Sequence, residues 1–204
     1  MRKDIEQLMD YYTSPGSLTL YEMSTDNKWV IDYKAAEEYM LHYSLTKEDY
    51  EKTWKSIWGK IFNQVCIGHP KGVFKKDFQV WKLMGGSLFE ESEFLSFQKS
   101  INSIGDKYII IIQNVFQDDT PPFRMRFPSD ITWKELCSGS FLSKALLEMD
   151  FNDYYMFGES GEWGKYSATE AYFPMDYLGV NSSSRSAFQE LIEKSKRYIP
   201  TQHK

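Results

Sequence analysis

Cysteine is nearly absent: Cys66 and Cys137 are the only two in 204 residues, and they stand far apart. That is too sparse for the disulfide framework of a small secreted domain, so two free thiols in a reducing cytosol are expected. Long apolar runs are missing as well. The most continuous aliphatic stretch, Ile109 to Ile112, is far too short to cross a bilayer and fits a buried strand. The chain begins Met-Arg-Lys-Asp-Ile-Glu, with acids where a secretory leader carries its apolar segment, so export is not expected. Positive charge is not in excess either. A net charge of −5 removes the bulk attraction to phosphate backbones and anionic lipid. Neither nucleic acid nor a membrane is an expected partner, and a cytoplasmic location follows.

Aromatic residues are what the chain has in abundance. They make up 17% of it, as 14 Phe, 14 Tyr and 6 Trp, against an ordinary globular balance of 42% hydrophobic and 26% charged residues. Rings bring large buried area, and Tyr and Trp add a polar tip suited to interfaces and pockets. No internal repeat or low-complexity linker divides the chain. One domain over 1–204 is expected, with a helical N-terminal lobe at 1–70 and a sheet-rich lobe at 71–204.

Periodicity sketches the elements. Ile5, Leu8, Met9 and Tyr12 recur at helical spacing before the turn residues Thr13-Ser-Pro-Gly16. Leu18–Met23 and Trp29–Tyr33 read as short strands, and Ala35–Tyr43 as a helix. Thr46 is an expected N-cap for a helix with Tyr50, Trp54, Ile57 and Ile61 on one stripe and Glu48 and Asp49 in its first turn. Phe78, Val80, Trp81 and Leu83 mark an extended segment ending at Gly85-Gly86. Phe94, Phe97, Ile101 and Ile104 mark a helix ending near Gly105. Lys107–Phe116 and Phe123–Phe127 form an expected antiparallel hairpin across Asp118-Asp-Thr-Pro-Pro122, with Arg124 and Arg126 on one face. Trp133–Met149 reads as a short turn followed by a helix, and Asp153–Phe157 and Lys165–Tyr172 as strands. Ser186-Ala-Phe-Gln189 matches a capping box that opens a C-terminal helix reaching Ile199, with Lys194, Lys196 and Arg197 in its last turns. The expected class is α+β, an antiparallel sheet formed mainly by the second half and packed with helices from the N-terminal part and the C-terminal helix.

Chemical motifs fail one by one. Phe157-Gly-Glu-Ser-Gly-Glu-Trp-Gly-Lys-Tyr166 has the glycines and lysine of a phosphate loop. Five residues separate Gly158 from Gly164 where that loop needs four, and Tyr166 stands where it needs a hydroxyl for magnesium. Ser160 is not a nucleophile elbow, since residue 162 is glutamate where glycine is required. Cys66 and His69 have the spacing of half a metal site, but only Cys137, His42 and His203 remain to complete four ligands. The ordinary reading is a buried free cysteine and a turn histidine before Pro70. Asp118 and Asp119 look like turn residues, and no EF-hand pattern includes Asp130. No catalytic residue, metal or cofactor is expected.

The ordinary reading of the 157–166 segment is a hairpin turn in which Gly158, Gly161 and Gly164 supply backbone angles other residues resist. The functional reading makes Trp163, between Glu159 and Glu162, an exposed anchor for a partner protein. Residues 148–180 favour it, carrying seven acids and one lysine among many rings. Such a surface suits a basic partner. Tyr154-Tyr-Met-Phe-Gly158, Trp163-Gly-Lys165 and Leu178-Gly179 resemble uncharacterised bacterial α+β proteins of the polymorphic-toxin immunity type. The resemblance implies a stoichiometric cytoplasmic inhibitor with an acidic surface toward a basic target. Two functions are therefore carried. The first is a non-catalytic binding module using Glu159, Glu162 and Trp163 with Tyr154, Tyr166 and Tyr172. The second is a small-molecule-binding protein or hydrolase-like enzyme with an aromatic-lined pocket, and a carboxylate or Cys137 as its reactive group.

Overall fold

The computed structural model describes residues 3, 33–83, 89–115, 123–138, 153–169 and 174–197. The helix expected over Ile5–Tyr12 and the strand over Leu18–Met23 lie outside them, as does Trp29–Asp32 of the second early strand. Tyr33 opens a helix instead. That helix, α1 (Tyr33–Tyr43), is the one expected from Ala35. Thr46 caps the next helical run as predicted, its Oγ1 accepting from Asp49 N at 2.9 Å. The run is α2 (Lys47–Asp49), a π-helical turn (Tyr50–Trp54) and α3 (Lys55–Ile61). The wider turn still presents the predicted stripe: Tyr50, Trp54 and Ile61 are buried and Ile57 is partly so.

Strands β1 (Phe78–Leu83), β2 (Tyr108–Gln113), β3 (Arg124–Pro128), β4 (Tyr154–Gly158), β5 (Trp163–Thr169), β6 (Pro174–Asn181) and the two-residue β7 (Lys196–Arg197) form one sheet. Its order is β3-β2-β4-β5-β6-β1-β7, and every pairing is antiparallel. The expected β2–β3 hairpin and the extended segment at Phe78 are present. The α+β class, with the sheet built mainly by the second half of the chain, is the observed one.

Four expectations about secondary structure need correction. Pro174–Asn181, read as no element, is the long strand β6, because Leu178 and Val180 alternate inward on one face and Tyr177 on the other. The capping box at Ser186 does not form. Residues Ser182–Phe188 are a 3-10 helix started by Asn181, whose side chain accepts from Ser183 N, and the α-helix α6 covers only Gln189–Lys194. Lys196 and Arg197 leave that helix and pair with Lys82 and Trp81 on β1. The segment at Trp133 is a helix, α5 (Trp133–Ser138), where a turn was expected; residues 139–152 lie outside the description.

Both faces of the sheet are covered. On the first, Ile109, Ile111, Met156, Trp163 and Leu178 pack under α1, α5, α4 (Glu91–Ser103) and α6, through Met40, Leu136, Phe94, Phe97 and Leu191. On the second, Ile110, Ile112, Tyr155, Phe157 and Tyr166 meet Tyr50, Trp54, Ile61, Phe62 and Phe74. The aromatic excess is thus spent largely on two cores, each fully buried ring contributing about 1.5–3 kcal/mol of transfer free energy.

The β3 edge is covered too. The chain passes from the first face to the second around β3, where Ser44 bridges Met125 and Leu45 N donates to Arg124 O at 2.9 Å. Arg124 returns the contact, its Nε donating to Leu45 O at 3.3 Å. Arg124 is therefore buried, and only Arg126 is exposed, its guanidinium 5.0 Å from the Tyr108 ring. The solvated pair of arginines expected from alternation is not what this edge holds, because the crossing segment covers Arg124.

Gly164 and Gly179 face each other across β5 and β6. A Cβ at Gly164 would lie 2.4 Å from the Phe62 ring, and one at Gly179 would lie 2.4 Å from the Phe74 ring. The paired glycines form a floor on which those two rings, 5.3 Å apart, sit. Gly179→Ala forces a buried ring to move, so it should cost about 1–3 kcal/mol in urea unfolding. The same change at Gly59, where nothing lies within 4 Å of the added Cβ, should cost nothing measurable or stabilise slightly.

Candidate functional site

The β4–β5 turn is closed over a buried carboxylate. Asp106, between α4 and β2, accepts from Trp163 Nε1 at 2.6 Å, from Ser160 N at 2.7 Å and from Ser160 Oγ at 3.0 Å. Burial raises the Asp106 pKa, while the bonds from Trp163 and Ser160 oppose the shift. Trp163 is 0% exposed, its ring edge-on to Phe97 at 4.8 Å. The expectation of an exposed Trp163 anchor is overturned: the indole is core, and its N–H answers a buried acid.

The neighbouring candidates are also committed internally. Glu162 accepts from the hydroxyls of Ser183 and Ser184 and so braces the 3-10 helix, while its backbone O accepts from Asn181 N at 2.8 Å. Glu159 Oε1 accepts from Lys107 N at 3.2 Å. Tyr154 is buried on the first face, edge-on to Phe123. Tyr166 is buried on the second and donates its hydroxyl to Asp153. Tyr172 lies outside the described residues. Tyr154, Trp163 and Tyr166 of the expected partner-binding set are therefore not an exterior surface, because both faces of the strands that carry them are covered, while Glu159 and Glu162 stay partly exposed in the turn. The glycines divide the labour differently from expectation. Only Gly161, at φ +72, supplies a special backbone angle; Gly158 makes room for Asp106, and Gly164 for Phe62.

Asp153 anchors a second polar group. It also accepts from Gly68 N at 2.8 Å, while Asn114 Nδ2 donates to Tyr166 Oη and to Val65 O, both at 3.1 Å. These bonds tie the Cys66–Pro70 turn to the second face. Burial first, and then Asp153, raise the Tyr166 pKa. Cys66 is exposed and not buried as expected, because its turn stands outside the aromatic layer. No group of three or more His, Cys, Asp or Glu among the described residues is placed to hold a metal. Among those residues, too, no helix is long and apolar enough to cross a membrane.

A third polar group has no counterpart in the sequence reading. Lys165 on β5, 0% exposed, donates to Ser167 Oγ at 2.7 Å and to Asp176 Oδ1 on β6 at 3.0 Å. Its ammonium lies 5.0 Å from the centre of the Phe89 ring. Burial lowers the Lys165 pKa, against the opposing pull of Asp176 and Glu93. In the sequence Lys165 stands out only as the lysine of a failed phosphate loop. The available signal was its place on a strand flanked by Trp163, Tyr166 and Ala168, where alternation leaves no solvated side.

Two outcomes follow from these bonds. Trp163→Phe removes one of the donors on buried Asp106 and should cost about 1–3 kcal/mol in urea unfolding. Lys165→Met alone strands Asp176 in the core and should cost about 3–5 kcal/mol, whereas the double change Lys165→Met with Asp176→Leu should recover most of that loss. No protein-family model matches the chain, and no curated protein or solved structure matches it at a significant level.

Proposed function

We infer that the protein is a cytoplasmic binding module of the immunity type, a stoichiometric inhibitor that engages a basic protein through the helical layer over the first sheet face. The observation that carries this reading is where exposed apolar area lies. Among the described residues the exposed large hydrophobic side chains are Leu41, at 44%, and Leu95, at 52%, and both belong to helices of that layer. Exposed Glu38, Glu90, Glu91, Glu135, Glu190 and Glu193 on the same side outnumber exposed Lys99, Lys134, Arg185 and Lys194. On the opposite side the run from α2 to α3 exposes Lys47, Lys52, Lys55 and Lys60 against Glu48, Asp49 and Glu51. The acidic bias therefore has a direction, and apolar side chains set among acids suit a basic partner with an apolar centre.

Mode of contact is constrained as well. Strand addition is disfavoured at the β3 edge, which Ser44 and Leu45 already occupy. The residues on which the immunity-type resemblance rests, Tyr154–Gly158, Trp163–Lys165 and Leu178–Gly179, lie on the neighbouring strands β4, β5 and β6. They support a likeness of core and leave the contact surface specific to this chain.

Tagged protein expressed in its native cell should retain one basic partner at a stoichiometry near unity. The double variant Leu41→Asp with Leu95→Arg should bind that partner at least about tenfold more weakly, with an unchanged thermal melt. Affinity should also fall as salt is raised. An unchanged affinity in the double variant would overturn this surface.

A further inference from the structure

The Lys165 group holds more than an ion pair needs. Lys165 and Ser167 are two residues apart on β5 and so project from the same face of the sheet. The amine is 2.7 Å from the hydroxyl, and Asp176 on the adjacent strand holds it from the other side at 3.0 Å. Both side chains are buried, Lys165 at 0% and Ser167 at 5% exposure. A dry amine within hydrogen-bond distance of a hydroxyl is the pairing that a serine nucleophile and its activating base require.

Two neighbours set this place apart from the surrounding core. Phe89, whose ring lies beside the ammonium, is the non-glycine residue held at positive φ among those described, at 66°. Such strain persists where the surroundings impose it, and it concentrates at functional sites. Glu93, on the first turn of α4, acts on Lys165 through its charge, and its Oε2 is buried without a hydrogen-bond partner. An ion pair kept for packing alone requires neither the hydroxyl, the strained ring nor the second carboxylate.

We propose that Ser167 is a nucleophile and Lys165 its general base in an acyl-transfer reaction on a carboxylic ester or thioester. Lys165, as the neutral amine, takes the hydroxyl proton while Ser167 Oγ bonds to the acyl carbon. The bond from that carbon to the leaving oxygen or sulfur breaks, and the leaving group takes the proton from Lys165. Water then adds to the acyl-serine ester and yields its proton to Lys165. The Oγ–acyl bond breaks, Oγ regains the proton, and the carboxylic acid departs; the net change consumes one water. Asp176 is a positioning residue that keeps the amine against the hydroxyl. This capability goes beyond the partner-binding reading and does not rest on it.

The test is incubation of the full chain with an alkyl fluorophosphonate, which bonds to an activated serine oxygen with loss of fluoride, followed by intact mass measurement and peptide mapping. One adduct, on Ser167, is expected. Ser167→Ala should remove it without changing the circular dichroism spectrum, and Lys165→Met should slow it by about a hundredfold or more. Mapping on the unsubstituted chain keeps the result decisive even where a variant fails to fold. An unmodified wild-type chain, or an adduct on any other serine, overturns the proposal and leaves the group an internal ion pair.

Discussion

An antiparallel sheet covered on both faces leaves no solvated side for its central strands β4 and β5, and this constraint governs the rest of the molecule. Antiparallel sheets commonly keep one face wet, so an acid or lysine in alternation ordinarily points to water. Here it cannot. Asp106, Asp153, Lys165 and Asp176 are all buried, and the bonds they make join distant segments. Asp106 fixes the β4–β5 turn to the end of α4, Asp153 ties the Cys66–Pro70 turn to β5, and Lys165 links β5 to β6. Such bonds add little net stability when made and cost much when half removed, so they act chiefly on the uniqueness of the arrangement.

The same constraint redirects the search for function. Aromatic and acidic residues that would form a binding surface on a one-sided sheet are consumed here as two cores and their internal acceptors. Exposed apolar side chains stand instead on the outer helices, where Leu41 and Leu95 interrupt a mainly acidic layer. The proposed chemistry belongs to Lys165, a buried amine that touches the Ser167 hydroxyl. The two proposed sites are separate, one exposed on helices and one enclosed beneath α4, and neither proposal needs the other.

Much of the secondary structure was legible because it depends on local pattern. The cap at Thr46, the stripe of Tyr50, Trp54 and Ile61, the helix from Phe94 to Ile101 and the β2–β3 hairpin follow from periodicity and turn chemistry alone. The errors share a cause. β6 is a strand because β5 and β1 flank it, and its Gly179 and Pro174 hid the alternation. Lys196 and Arg197 obeyed an exposed edge on β1 rather than the helix before them. Ser186–Gln189 had the letters of a capping box, but Asn181 started the turn earlier and left it no helix end to cap.

The candidate site divides in the same way. Glycine spacing alone excluded a phosphate loop, and the missing second glycine excluded a nucleophile elbow, because those motifs are local geometry. The alternation of Trp163, Lys165 and Ser167 placed them on a common face of a strand by the two-residue period of any strand. Whether that face met water or a helix was decided by residues some 70 positions earlier in the chain, Phe94 and Phe97 of α4, which close over it. Burial is a property of what arrives from elsewhere, so the sequence by itself determined which side chains stand together and only the tertiary structure decided that Trp163 is core and Lys165 is dry.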